Sequence, residues 1–140
     1  MILFISIIIG VGIVYVVLQD IHEALSLKMI ICVIRPEQLG DVVSALRQEN
    51  LIEGMTVMNV RGFGRQKAET GPQDLVEEET IRFLPKLKLE ILMKSPDVPR
   101  AIEVIGGAVR TGQIGDGKII ALKAIAVVQI HTGERGHSAL

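Results

Sequence analysis

The chain has 140 residues, which is enough for one ordinary domain and a short extension. It carries 15 Lys+Arg against 16 Asp+Glu, a net charge of −1, which excludes the strongly basic face of a dedicated nucleic-acid-binding protein and an acidic disordered tail. Aromatic residues make up 3% of the chain, so the core must be aliphatic. The single cysteine, Cys32, lies in an apolar run and can form no internal disulfide; we interpret it as a buried thiol in a reducing compartment.

The first 18 residues form an uncharged segment, in which 15 residues are apolar. As a helix this segment would be about 27 Å long, close to the thickness of a bilayer core. It lacks the positive n-region and the small-residue cleavage site of a secretory signal. Three interpretations remain: a membrane anchor, an element buried in an oligomer, or residues upstream of the true start. We favour the anchor, which makes 1–27 an apolar helix plus a short linker and 28–140 the folded domain.

The rest of the chain alternates between strand-like and helix-like patterns. The predicted elements, in chain order, are a strand over 29–34, a helix after Arg35-Pro36, a strand over 55–63, a strand over 87–93, a helix with Asp97 as candidate N-cap, and a strand over 119–130. The order βαββαβ predicts an α+β, ferredoxin-like domain, with one antiparallel sheet and two helices on a single face. The strands are apolar on both faces, which suggests that other subunits cover the second face.

Two loops stand out between these elements. Residues 64–82 are polar, interrupted by Gly71-Pro72, and too long for a simple connection, so the stretch is either functional or disordered. Residues 111–118 contain three glycines within six positions and end in Lys118. They resemble a Walker A loop, but Ile119 replaces the Mg²⁺-binding hydroxyl and the helix precedes the loop, which excludes a P-loop NTPase. The glycines indicate either a backbone anion site or a plain turn.

The remaining polar residues give only weak signals. The tripeptide Arg65-Gln66-Lys67 and the strand-end Lys86 have solvated surface as their default interpretation. His22, His131 and His137 are scattered, and no nucleophile or metal-binding motif occurs in the sequence. Classical catalysis therefore finds little support.

Four separated motifs together resemble the PII nitrogen-regulatory signal-transduction proteins, from about Lys28 to Leu140. The motifs are VRGFGRQK at 60–67, FLPK at 83–86, RTGQIGDGKI at 110–119 and TGER at 132–135. The resemblance implies a homotrimer of ferredoxin-like subunits with effector sites in the clefts between them. It also implies a regulator of partner proteins rather than an enzyme. Residues 64–82 correspond to the family's T-loop and residues 111–118 to its B-loop.

The resemblance also implies which residues bind the effectors ATP or ADP, Mg²⁺ and 2-oxoglutarate. The implied nucleotide-binding residues are Gly64, Arg65, Gly115, Asp116, Gly117, Lys118, Gln129 and His131. The implied 2-oxoglutarate-binding residues are Gln66, Lys67, Lys86 and Gly115, with Gln66 also completing the Mg²⁺ site. Gln129 and His131 stand where the family has two arginines, so weaker ATP binding is expected.

The implied partners are enzymes of nitrogen assimilation or an ammonium transporter, contacted through the T-loop, with no nucleic acid. The implied location is the cytoplasmic face of the membrane if residues 1–18 are an anchor, and the cytoplasm otherwise. Two functions remain open: an effector-sensing regulator, or a PII-like protein with slow ATPase activity or a different anionic effector. The T-loop contains no tyrosine, which excludes switching by uridylylation of a tyrosine there.

Overall fold

A computed structural model describes residues 13–22, 25–63 and 83–140 of the chain. The strands are β1 (Leu27–Ile34), β2 (Thr56–Gly62), β3 (Leu84–Lys94) and β4 (Lys118–Ala124), and the helices are α1 (Leu39–Gln48) and α2 (Val98–Val109). Short 3-10 turns, Pro36–Gln38 and Ser95–Asp97, lead into the two helices, and a third, Gly136–Ala139, lies near the C-terminus. The predicted order βαββαβ is confirmed.

The four strands form one antiparallel sheet in the order β2-β3-β1-β4. In the centre, Ile34 pairs with Leu87 and Leu27 pairs with Lys94, so the end of β1 lies beside the start of β3. The connection from β2 to β3, which contains residues 64–82, therefore joins the sheet at the end where β1 terminates. The register determines which loops can meet at one site.

One aliphatic core joins the sheet to both helices. Alternate residues of β1 and β3 are buried on the face that the helices cover, as the alternation Leu87, Leu89, Ile91, Met93 predicts. Helix α1 contributes Val42 and Leu46. The other members of the buried cluster are Ile30, Cys32, Ile34, Val98, Ala101, Ile105 and Val109. Cys32 is fully buried, and this burial raises the pKa of its thiol to about 11, which confirms its interpretation as a core residue.

The prediction that β4 continues to Ile130 is wrong. β4 ends at Ala124 because β1, the strand that pairs with it in the described sheet, begins at Leu27, and Leu27 is the residue that pairs with Ala124. Beyond that point the chain forms a small hairpin, closed by a bridge between Val128 and Arg135. Ile125 and Ile130, although apolar, are each 97% exposed.

The prediction that Asp97 caps the second helix is correct in position and wrong in mechanism. Asp97 is the residue before Val98, but its own backbone is already helical, at φ −82° and ψ −17°. A capping side chain needs extended backbone at that position to reach the following N–H groups. Among the described residues, the Asp97 side chain makes no capping hydrogen bond.

The N-terminal segment is helical over 13–22. Its apolar side chains are exposed on every side, from Ile13 at 60% to Ile21 at 49%. Across the three described stretches of the chain, no helix is long and apolar enough to cross a membrane. Residues 1–12, which complete the predicted anchor, lie outside the described residues.

Candidate functional site

A pocket of about 230 Å³ opens where the end of β1, the end of α2 and the start of β4 come together. Ile34 and Val109 form its apolar wall, while Arg110 and Lys118 bring two cationic side chains. Asp116 and Gly117 of the predicted B-loop also line it. The predicted B-loop (111–118) therefore forms one side of a concave surface.

The glycines of the B-loop adopt conformations that other residues rarely reach. Gly112, Gly115 and Gly117 have φ of +79°, +101° and +102°. At Gly117 a Cβ atom would lie 1.8 Å from the carbonyl oxygen of Val33. Glycine is therefore required at position 117, because the loop passes directly over the end of β1.

The carboxylate of Asp116 folds the B-loop back on its own beginning. It accepts hydrogen bonds from the Thr111 hydroxyl, from the Thr111 N–H at 2.8 Å and from the Gly112 N–H at 3.0 Å. These bonds, with the Thr111 hydroxyl first and Arg35 as a weaker charge partner, lower the pKa of Asp116 below its ordinary value. The Asp116 carboxylate therefore shapes the loop, and the phosphate contact that the resemblance implies for Asp116 stays a prediction.

Lys86 extends from β3 to the B-loop. Its Nζ donates a hydrogen bond to the Gly115 carbonyl oxygen at 3.0 Å, across 29 residues of sequence. Lys86 also pairs with Val60, four residues before Gly64, where the predicted T-loop begins. The predicted strand-end lysine thus joins β3, the B-loop and the base of the T-loop.

Arg35 is a site residue that the sequence interpretation missed. Its guanidinium donates to the Ile114 carbonyl oxygen at 3.3 Å and lies 3.7 Å from the Asp116 carboxylate. Its Nε is buried, and no hydrogen-bond partner for it occurs among the described residues. The available sequence signal is that Arg35 directly follows the buried strand β1, a position at which side chains often reach a binding site.

The base of the T-loop is marked by two aromatic rings. Phe63 and Phe83 are the described residues on either side of 64–82, and their ring centroids lie 6.1 Å apart, tilted by 54°. Four predicted site residues, Gly64, Arg65, Gln66 and Lys67, lie outside the described residues. The Phe63–Phe83 contact nevertheless brings the two ends of that segment together.

Gln129 and His131 lie away from the pocket of their own chain. Both are exposed and belong to the hairpin after β4, in which the Gln129 N–H donates to the Glu134 carbonyl oxygen at 2.9 Å. Neither lines the pocket described above. Within the described part of the chain, no group of three or more His, Cys, Asp or Glu side chains is placed to hold a metal ion.

An antiparallel βαββαβ domain with a glycine loop beside cationic residues is a ferredoxin-like domain with a candidate anion-binding site. The family model for Nitrogen regulatory protein P-II matches residues 27–134. The P-II proteins of Azospirillum brasilense and Rhizobium etli are 44% and 43% identical to this chain, over 81% of it and over their whole lengths. The crystal structure of Arabidopsis thaliana PII bound to citrate is 36% identical, with a TM-score of 0.67, over 82% of this chain and 92% of that one.

The chain belongs to the P-II family of nitrogen regulatory proteins. The family resemblance drawn from the four motifs is confirmed, as is the prediction of a regulator rather than an enzyme. The predicted α+β fold is confirmed by its structural neighbour. The homotrimer and the individual effector contacts stay predictions.

Proposed function

We propose that this protein is an effector-sensing regulator that binds ATP or ADP and 2-oxoglutarate and controls partner proteins of nitrogen assimilation. The observation that carries the proposal is the hydrogen bond from Lys86 to Gly115, which joins a cationic side chain to the B-loop. The bond holds Lys86, the proposed partner of a carboxylate effector, beside the B-loop, the proposed binding site for phosphate. Two effectors that use the same loop and strand become coupled when each stabilises contacts that the other needs.

The B-loop suits a nucleotide phosphate for two reasons. Its glycine backbone at positive φ turns in ways that present successive N–H groups to an anion, as in anion-binding nests. Four cationic residues contact the loop or line the pocket: Arg35, Lys86, Arg110 and Lys118. The one carboxylate of the loop, that of Asp116, is already hydrogen-bonded to Thr111 and Gly112 and paired with Arg35. In this proposal Gly115, Gly117 and Lys118 hold the phosphates, and Asp116 holds the loop.

The second effector binds between Lys86 and the start of the T-loop. In this proposal Lys86 would pair with the distal carboxylate of 2-oxoglutarate, Gln66 and Lys67 would bind the same effector, and Gly64 and Arg65 would contact the phosphates. Gln66 would offer an amide oxygen to Mg²⁺, a hard cation that prefers such ligands and phosphate oxygens. The citrate named for Arabidopsis PII, a polycarboxylate, is consistent with a carboxylate effector here.

The proposed assembly is a homotrimer with effector clefts between neighbours. The sheet face opposite the helices exposes apolar side chains of β4, with Ile120 at 44% and Leu122 at 49%, and a symmetric assembly would cover them. Gln129 and His131, which do not line their own chain's pocket, would then approach the phosphates of a neighbouring site. The T-loop would contact the regulated enzymes or an ammonium transporter.

The experiment is a calorimetric titration of ATP with and without 2-oxoglutarate in the presence of Mg²⁺, with an assay of phosphate release on the same sample. Tighter ATP binding in the presence of 2-oxoglutarate, without turnover, supports the regulator. Turnover without synergy supports the alternative, a slow ATPase. Capture of partners in ATP plus 2-oxoglutarate against ADP then tests control through the T-loop.

We further propose that residues 1–18 attach the protein to the cytoplasmic face of a membrane. The support is the uncharged sequence of this segment and the exposed apolar side chains of helical residues 13–22. The full chain should then sediment with membranes and resist high-salt extraction, whereas a chain beginning at Lys28 should stay in the supernatant. A full-length protein found in the supernatant would place it in the cytoplasm without an anchor.

A further inference from the structure

Gln38 is a buried polar residue at the start of α1, and no motif in the sequence draws attention to it. Only 7% of its surface is exposed. Its Oε1 accepts a hydrogen bond from the Arg35 backbone N–H at 3.1 Å, and its Nε2 donates to the Val109 carbonyl oxygen at 2.8 Å. A single amide therefore links the Arg35 backbone to the Val109 carbonyl group, which lies 71 residues after Gln38 in sequence.

Both of these points lead directly into the proposed effector site. Val109 is the last residue of α2, lines the pocket and immediately precedes the loop that starts at Arg110. Arg35 contacts the far side of that loop, at Ile114 and Asp116. The amide of Gln38 thus connects Val109, which precedes the loop, to Arg35, which contacts the far side of the loop.

The two hydrogen bonds require one donor and one acceptor on the same side chain. The last carbonyl groups of a helix have no partner within the helix, so Val109 needs a donor from elsewhere. The Arg35 N–H, at the start of a 3-10 turn, needs an acceptor. Glutamine supplies both groups at this reach, while an ionised glutamate supplies only acceptors and methionine supplies neither bond at comparable strength.

We infer that Gln38 is a positioning residue for the nucleotide loop: its buried amide sets the position of the B-loop relative to Arg35. This inference rests on the proposed function, because it assigns Gln38 a role in that same site. Gln38 does not touch the effector and acts through Val109 and Arg35. Loss of either hydrogen bond loosens the loop and weakens nucleotide binding.

The test uses three variants of the full chain. Gln38→Glu keeps the shape but turns the donor into an acceptor that faces the Val109 carbonyl, and Gln38→Met removes both bonds. Gln48→Glu makes the same charge change at an exposed position at the end of α1 and is the matched control. Arg35, Glu37 and Arg110 are charged residues at or next to the hydrogen-bonded positions, and Asp116 lies 3.7 Å from the Arg35 guanidinium; all four are the same in the control.

We expect Gln38→Glu to weaken ATP binding about tenfold at pH 8 relative to Gln48→Glu. The reason is that the Val109 carbonyl loses its donor, and leaving a buried polar group unsatisfied lowers affinity by about this factor. Burial beside a carbonyl oxygen favours the protonated form of the introduced carboxyl, which donates as the amide does. The deficit should therefore shrink at pH 6. Gln38→Met should show the same deficit at both pH values. Equal affinities for Gln38→Glu and Gln48→Glu, or a deficit independent of pH, would overturn the inference.

Hydrogen exchange of the unliganded protein separates this inference from the proposed function. Amides of residues 110–118 should exchange faster in Gln38→Glu than in Gln48→Glu at pH 8, and the difference should narrow at pH 6. The exchange measurement needs no ligand, so it tests the positioning role even if the wild-type protein binds no ATP. Absence of ATP binding by the wild-type protein would contradict the proposed function alone. Unchanged exchange over 110–118 would contradict the positioning role. Should Gln38→Glu not fold, Gln38→Met against Gln48→Glu gives the same comparison at pH 8.

Discussion

The side-chain ammonium group of Lys86 lies 3.0 Å from the carbonyl oxygen of Gly115. This bond joins the central strand β3 to the glycine loop between α2 and β4. A lysine held beside the loop in this way loses less conformational freedom when an anion binds. The position of Lys86 relative to the loop is therefore set by the fold.

The tight passage of the B-loop over β1 predicts that Gly117 tolerates no side chain. In Gly117→Ala the new Cβ would lie 1.8 Å from the Val33 carbonyl oxygen at a φ of +102°, so either the loop or the strand must move. We expect a loss of more than about 3 kcal/mol in the free energy of unfolding, from steric overlap and backbone strain together. Urea unfolding at a fixed protein concentration measures it.

Two other glycines provide controls for Gly117→Ala. Gly112→Ala shares a positive φ but has open space around its Cβ within the described part of the chain, so it should cost about 1–2 kcal/mol. Gly107→Ala, within α2 and equally open among the described residues, should stabilise by about 0.5–1 kcal/mol. If all three substitutions cost the same, the contact between the loop and β1 is not as described.

The Asp116 contacts with Thr111 and Gly112 predict a stability term that depends on pH. Hydrogen bonds from Thr111 lower the pKa of Asp116 in the folded protein. A lowered folded-state pKa means that the carboxylate stabilises the fold above the unfolded value, about 4, and loses this effect as the pH falls through the folded-state pKa. Asp116→Asn should therefore destabilise the protein at pH 7 and differ less from wild type near pH 3.

Asp97→Asn is the control for the pH experiment, because no capping hydrogen bond of that side chain occurs within the described residues. Its effect on stability gives the baseline for replacing a carboxylate that makes no capping hydrogen bond. A constant deficit for Asp116→Asn between pH 7 and pH 3 would contradict the assignment of the ionised carboxylate as the group that holds the loop.

The replacement of two expected arginines by Gln129 and His131 predicts weaker binding of highly charged nucleotides. Each charge-assisted bond to a phosphate contributes about 1.5–3 kcal/mol. The double substitution Gln129→Arg and His131→Arg should therefore strengthen ATP binding more than AMP binding, measured by calorimetry. Arg substitution at exposed Gln48 controls for general charge. An equal gain for both nucleotides, or none, would show that positions 129 and 131 do not face the phosphates.

The periodicity of apolar residues predicted most of the fold, because the buried residues of each strand and helix recur at regular spacing on one face of that element. The alternation Leu87, Leu89, Ile91, Met93 gave the buried face of β3, and the helical spacing of Val42 and Leu46 gave that of α1. The end of β4 could not be predicted in this way. It depends on where the neighbouring strand begins, at Leu27, and an apolar run such as 125–130 carries no information about its partner.

The site was predicted in part, because only some of its residues belong to recognisable motifs. The glycines of 111–118 and Lys86 belong to motifs of the family resemblance. Arg35 and Gln38 become site residues only through contacts with Ile114, Asp116 and Val109, which lie more than 70 positions away in sequence. No local pattern encodes those contacts. They follow from the sheet order, which places the end of β1 beside the loop that precedes β4.

The central claim is that Lys86 and the B-loop form one site for two effectors, and a single titration tests it most directly. The measurement is 2-oxoglutarate binding in saturating Mg-ATP for wild type, Lys86→Met and Lys88→Met; Lys88 lies two residues along β3 on the same face and pairs with Glu90. The account predicts that Lys88→Met binds like wild type and that Lys86→Met loses about 2–5 kcal/mol of 2-oxoglutarate binding. Unchanged 2-oxoglutarate affinity in Lys86→Met would contradict it.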